Sequence, residues 1–202
     1  MKLFYASASP FARQVLALAY ETGQADRIEL ETCATTPVNR NPNVVAVNPS
    51  GRIPVLILDD GTSLFDSRVI CQYLDHHHTG PKMYPVDGVA RWETLRREAL
   101  AQGLLDAAVL ARYEMVLRPK DKFWPEWLSG QIDKINSSLN EMEKDAASLS
   151  GVDAGLIAYA CALGYLDFRF ADHDWRAARP KLSAWFAAFR ERPSLILTMP
   201  TA

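Results

Sequence analysis

Apolar and polar positions alternate in two different ways along this chain. In the first eighty residues the apolar positions fall in short runs broken by turn residues. Leu3-Phe4-Tyr5 reads as a strand, and Pro10 to Glu21 as a helix ended by Gly23. Arg-Ile-Glu-Leu-Glu-Thr, ending at Thr32, alternates apolar and polar and predicts a second strand over Ile28 to Thr32, so that a β-α-β unit opens the chain. Thr35 to Asn48, rich in Asn, Pro and Thr, reads as a loop with a short helix around Asn43 to Ala46. Asp59-Asp60-Gly61 is a hairpin turn between Ile53–Leu58 and Ser63–Phe65. A further helix starts near Asp66 and runs to His76-His77-His78, with Gly80 and Pro81 as stop signals.

After Pro85-Val86-Asp87-Gly88 the strand signals vanish. A helical pattern extends from about Val89 to Met115 and closes at Arg118-Pro119. The next helix carries Leu128, Ile132, Ile135, Leu139 and Met142 as a one-faced stripe. Ser150-Gly151-Val152-Asp153 resembles a capping box ahead of the apolar run from Leu156, and Asp153 alone is an equally good cap. A last helix, about Lys181 to Arg192, sets Leu182, Trp185, Phe186 and Phe189 on one face before Pro193 ends it. These patterns predict a first domain over 1–80, a linker over 81–87 and an all-helical domain over 88–202.

Composition narrows the function. Hydrophobic residues make up 49% of the 202, enough for a sizeable core, and charged residues 23%, which is no signature of disorder. A net charge of −2 gives no electrostatic footprint for nucleic acid or an anionic membrane, so small-molecule or protein partners are expected. Charged residues or glycine interrupt every apolar run well short of the roughly 18 residues a span needs. Only four residues separate Lys2 from Ser7, so Ala6-Ser7-Ala8 is not read as a signal-peptidase site. Cys33, Cys71 and Cys161 are odd in number and lack any CxxC pair, which predicts a reducing cytoplasm and no disulfide framework. Cys71 is read as a small buried hydrophobe.

The candidate chemistry lies at three places. Ser9 precedes Pro10 as the expected helix cap, where unpaired N–H groups and the helix dipole favour an anion. Ile53-Pro54 enters an apolar strand, and X-Pro is the one peptide that adopts the cis form cheaply. Asp66-Ser67 opens the next helix. Three adjacent histidines cannot converge on one metal ion, since neighbouring helical residues point about 100° apart, so His76 to His78 read as positive charge at a helix C-terminus. Arg13, one turn into the first helix, reads as structural. Tyr113, Met115, Phe123, Trp124 and Trp127 read as core or interface residues.

Taken in order, Met1 to Tyr5, Ser9-Pro10-Phe11-Ala12-Arg13, Asn48 to Leu56, Leu64-Phe65-Asp66-Ser67 and Cys161 to Arg169 resemble the cytosolic glutathione S-transferases, most of all their serine-type bacterial members. The resemblance covers nearly the whole chain. It implies an α/β thioredoxin-like N-terminal domain followed by an all-α C-terminal helical bundle, glutathione as co-substrate without a metal, and a homodimer. Within it Ser9 is the thiolate-stabilising hydroxyl, with Ser7 and then Tyr5 as competitors. Ile53, beside Pro54, offers its backbone to the cysteinyl part of glutathione, while Asp66 and Ser67 meet the γ-glutamyl ammonium and carboxylate. Phe11 belongs to the same binding set. Arg52, with Arg40 and Asn39 behind it, is the candidate for the glycine carboxylate. The implied activity is conjugation of glutathione to a hydrophobic electrophile held against the helical half. A glutathione-dependent reductase or lyase, and a non-catalytic binding or interaction protein, are the alternatives.

Overall fold

In the computed structural model, which describes residues 1–201, the elements in chain order are β1 (Lys2–Tyr5), α1 (Pro10–Glu21), β2 (Glu29–Thr32), α2 (Pro42–Val47), β3 (Val55–Ile57), β4 (Ser63–Leu64), α3 (Ser67–His76), α4 (Gly88–Val116), α5 (Pro125–Asp145), α6 (Ala154–Arg169), α7 (Pro180–Phe189) and α8 (Pro193–Leu197). They divide into two compact units, residues 1–86 with 192–201, and residues 87–191.

The first unit is a mixed sheet with helices, as the α/β reading requires. Strand order is β2-β1-β3-β4; β1 and β2 are parallel across the α1 crossover, and the other two pairings are antiparallel. Leu3, Val15, Leu18, Leu56, Ile70 and Leu74 form its core, all fully buried. At the β2 edge the alternation misleads, since Leu30 is 46% exposed and the buried residue is Ile28, just ahead of the strand. α1 ends as expected: Gly23 takes φ 67° and Gln24 N–H reaches back to Ala19 O at 2.8 Å.

α3 stops at His76, which stands in its last turn, and Lys82 joins it at that end, its Nζ donating to the carbonyls of Asp75 and His78. His77 and His78 bond to Tyr73 O at 2.8 Å and the Asp75 carboxylate at 3.0 Å. The last helix differs from expectation. Pro193 does not simply end the last helix. α7 finishes at Phe189, and Pro193 opens α8, as suits a residue with no N–H to lose in a first turn.

α8 also explains why the chain's end groups with the first unit although the sequence pattern assigns 88–202 to the helical domain. Arg192 forks onto Glu21 through Nε and Nη2, both at 2.7 Å, and Ser194 Oγ donates to the same carboxylate. The Arg192 hydrogen bonds, against a smaller penalty from burial, hold the Glu21 carboxyl below its ordinary pKa. Arg13 Nη2 donates to Leu195 O at 3.0 Å, a structural role as expected.

The second unit is all helical. Ile135, Leu139 and Met142 of the α5 stripe are fully buried, with Leu128 and Ile132 half-buried. Asp153 is the α6 cap, accepting from Leu156 N–H at 2.8 Å and from Thr94 Oγ1 at 3.1 Å, so the open choice falls to Asp153. α4 and α6 meet so closely that a Cβ on Gly155 would stand 2.6 Å from Thr94 O. Contrary to a core reading, Met115, Phe123, Trp124 and Trp127 are exposed, the two tryptophans stacked at 6.1 Å. No helix among the described residues is long and apolar enough to cross a membrane.

Candidate functional site

Strand register gathers the three sequence-predicted elements at one end of the sheet. Phe4 lies opposite Val55, and Leu56 opposite Leu64. Continued outward, those two registers bring Tyr5, Pro54 and Asp66 to the same end, where β1 also turns into α1. The turn is closed by Ser9 N–H on Ala6 O at 2.9 Å. Thus Ser9, Ile53-Pro54 and Asp66-Ser67, far apart in sequence, share one edge.

Ser9 caps α1 as predicted. Its Oγ accepts from Ala12 N–H at 3.2 Å, and among the described residues no acceptor takes its own O–H. That proton is available to a ligand. Ser7, the competitor, is exposed and already donates to Thr201 O at 3.2 Å. Phe11 and Tyr5 are half-buried.

The Ile53-Pro54 peptide is cis, and so is Phe65-Asp66. The turn before Ile53 is built by Asn48, a buried side chain that donates to Arg52 O at 2.9 Å and accepts from Ser50 N–H and Oγ. Thr35 Oγ1 donates to Gly51 O at 2.9 Å. Gly51 sits at φ 69°, a backbone angle that favours glycine, and the Arg40 guanidinium lies over it, 2.9 Å from where a Cβ would stand. Arg40 is thereby a loop clamp, its Nη2 on Pro49 O at 2.6 Å. Arg52 and Asn39 are exposed.

Asp66 is the N-cap of α3, accepting from Arg68 N–H at 3.1 Å, while Arg68 Nη2 reaches its other oxygen at 3.1 Å. Burial raises the Asp66 carboxyl, but the Arg68 hydrogen bond and charge together with the backbone N–H groups outweigh it, and the pKa ends below the ordinary value. The group is an anion at neutral pH, and a more exposed one than a binding pocket suggests. Ser67 is buried at the first position of the helix.

Comparison with known proteins fits this geometry. Residues 8–77 match the glutathione S-transferase N-terminal domain and residues 125–188 the C-terminal domain. The uncharacterized GST-like protein YibF of Escherichia coli K12 is 33% identical, with 99% of this chain and 98% of that protein covered. The chain belongs to the glutathione S-transferase family. Two solved structures of a family member from Pseudomonas fluorescens Pf-5 are similar throughout. One, with bound glutathione, is 45% identical at TM-score 0.96 and covers 100% of this chain and 99% of that one; the other, with bound S-(propanoic acid)-glutathione, is 46% identical at TM-score 0.92 and covers 100% of both.

In this member of the family, sequence reasoning missed the residues that hold the others in place. Asn48 and Gly51 lie inside the quoted Asn48 to Leu56 stretch, where an Asn-Pro-Ser-Gly turn signal could have identified them. Arg68 follows Asp66-Ser67 directly, and an arginine two residues after a carboxylate cap is an ion-pair candidate. Thr35 left no local signal. Among the described residues no group of three His, Cys, Asp or Glu side chains could hold a metal.

Proposed function

We propose that this chain is a serine-type glutathione transferase that binds glutathione at this sheet end, ionises its thiol with Ser9 and transfers the sulfur to an apolar electrophile. The observation that carries the reading is a helix-capping hydroxyl with an uncommitted O–H, at the same edge as Ile53-Pro54 and the Asp66-Ser67 helix start. Glutathione and an S-alkylated glutathione, bound by the similar Pseudomonas protein, support both a reactant and a product of that chemistry.

An ordinary cysteine-type thiol has a pKa of about 8.5 and is a few per cent thiolate at neutral pH; lowering it by about two units takes about 2.7 kcal/mol of anion stabilisation. A hydrogen bond to the charged sulfur contributes about 1.5–3 kcal/mol and the α1 terminus up to about 1, which together suffice. The thiol proton leaves to solvent, and the sulfur pair forms a bond to the electrophilic carbon, which either releases a leaving group with its electron pair or, at an activated double bond, passes the π pair to the neighbouring atom, where solvent protonates it. Ile53 supplies backbone groups to the cysteinyl part, as an added strand does. Asp66 takes the γ-glutamyl ammonium, Ser67 and the α3 terminus its carboxylate, Phe11 flanks the site, and Arg52 is the group for the glycine carboxylate. The three cysteines form no disulfide, which suits action in the reducing cytoplasm.

Calorimetry with glutathione tests the binding half. Asp66→Ala is expected to weaken affinity roughly tenfold, the lower end for a hydrogen bond to a charged group because Asp66 is exposed. Unchanged affinity would leave Asp66 as a helix cap only. A panel of electrophiles tests the transfer half, and binding without turnover would favour an interaction module.

A homodimer belongs to the same proposal. Val89 and Trp92, 73% and 69% exposed on α4, are apolar surface that a partner would cover. Sedimentation at micromolar concentration should give twice the 22.6 kDa chain mass, and a single 22.6 kDa species would contradict it.

A further inference from the structure

Two half-buried arginines of the helical unit have no anionic partner. Arg112 lies in the last stretch of α4 and Arg169 closes α6, and among the described residues neither side chain makes a hydrogen bond or an ion pair. Arg176 and Arg179 of the same unit are engaged by contrast, the first with the Asp167 carboxylate at 2.6 Å and the second with Asn140 Oδ1 at 3.0 Å. A fully solvated arginine needs no such partner, but a half-buried guanidinium has given up part of its hydration and gains by acquiring an acceptor.

The two charges converge. α4 and α6 touch near their starts, at Thr94 and Gly155, and again near their ends, where Arg112 and Tyr113 act on Tyr165, so the helices run side by side in one direction. At 1.5 Å per residue α4 climbs about 27 Å from Thr94 to Arg112 and α6 about 21 Å from Gly155 to Arg169, which sets the arginines within roughly one turn of the same level. Tyr165 stands one turn before Arg169 on the same helix face. It is 6% exposed, and among the described residues its hydroxyl has no hydrogen-bond partner. Burial pushes its phenol up to about 12 while the Arg169 and Arg112 charges pull it down, so both guanidinium groups bear on that hydroxyl. The sides of the cluster are apolar: Arg169 lies over the Phe168 ring at 4.0 Å, and the Phe170 ring is 6.3 Å from that of Tyr165.

Two guanidinium forks and a neutral hydroxyl are all donors, the set that recognises an anion, and the planar fork matches a carboxylate. Aromatic rings around it suit a monoanion on an apolar body better than a strongly hydrated dianion. We propose that Arg112, Arg169 and Tyr165 bind the carboxylate of an apolar organic acid, and that the electrophile of the proposed transfer carries that group. The second clause rests on the glutathione reading, and the first does not.

Calorimetry of the whole protein with p-toluate, which cannot react, reads the site without glutathione. The wild type is expected to bind p-toluate about tenfold more tightly than the uncharged p-toluamide. Arg112→Gln and Arg169→Gln should each weaken p-toluate about tenfold and Tyr165→Phe a few-fold, whereas Lys144→Gln, on the exposed side of α5, controls for net charge and should change nothing. Equal wild-type affinity for acid and amide, a comparison that needs no variant to fold, or wild-type affinity in both folded arginine variants would overturn the site. Turnover of p-(chloromethyl)benzoate against p-(chloromethyl)benzamide reads the acceptor. In that reaction the thiolate sulfur pair bonds to the benzylic carbon and chloride leaves with its electron pair. A kcat/KM about tenfold higher for the benzoate, lost when both arginines are replaced by glutamine, is the expected result, and equal turnover of the two would overturn the acceptor assignment. Absence of glutathione binding by the wild type would overturn the functional reading and the acceptor assignment with it, while the p-toluate titration would still decide the site.

Discussion

Ser9→Ala is expected to leave glutathione affinity nearly intact and to reduce kcat/KM at neutral pH by roughly 10- to 100-fold, the equivalent of one charge-assisted hydrogen bond. Most binding contacts in the proposed site come from Ile53, Asp66 and Ser67, whereas Ser9 acts on the sulfur alone. The sign of the pH effect follows. The reactive species is the thiolate, so a raised thiol pKa moves the ascending limb of the pH–rate profile to higher pH, and the deficit fades once pH exceeds the new pKa. Ser7→Ala should leave the profile in place, because the Ser7 hydroxyl donates to Thr201 O. A shifted profile in Ser7→Ala with none in Ser9→Ala would make Ser7 the donor. Loss of the α1 cap adds a stability cost of about 1 kcal/mol, measured separately by melting.

Gly155→Ala is expected to destabilise the chain's second unit. The added Cβ would stand 2.6 Å from Thr94 O and 2.8 Å from Arg97 Cβ. The first of these is backbone, so relief requires α4 to move against α6 rather than a side chain to rotate. Overpacking of this kind costs about 1–3 kcal/mol, partly offset by the up to about 1 kcal/mol that alanine gains over glycine in a helix. A net loss of about 1–2 kcal/mol corresponds to a melting point lower by roughly 2–8 °C. Gly103→Ala is the control on α4. Nothing lies within 4 Å of its Cβ position, so only the propensity gain remains and the melting point should hold or rise. Equal behaviour of the two variants would mean that the α4–α6 approach is not tight at Gly155.

Local chemistry made much of the fold legible. Ser9 before Pro10 and Asp66 before Ser67 each cap the helix that follows, because a short polar side chain meets unpaired N–H groups wherever it falls. The α5 stripe was legible for a similar reason, since one face of one helix meets one core. What stayed hidden depends on partners distant in sequence. The attachment of α8 to α1 rests on Glu21 with Arg192 and Arg13 with Leu195, pairs 171 and 182 residues apart that no periodicity signals. Likewise Leu30 obeys the strand alternation and is still exposed, because an edge strand need not be covered on the face its pattern suggests. In the proposed site, the motif drew attention to Ser9, Ile53-Pro54 and Asp66-Ser67, whereas Asn48, Thr35 and Arg68 stayed hidden because they act on backbone and neighbouring side chains.

The central claim, that this chain binds glutathione and ionises its thiol at the Ser9 turn, is tested most directly by the pH titration of thiolate absorbance in the complex of the wild-type protein with glutathione. The account predicts saturable thiolate absorbance with a midpoint one to two units below the ordinary value of about 8.5. A midpoint at that ordinary value, or no saturable signal at all, would contradict it.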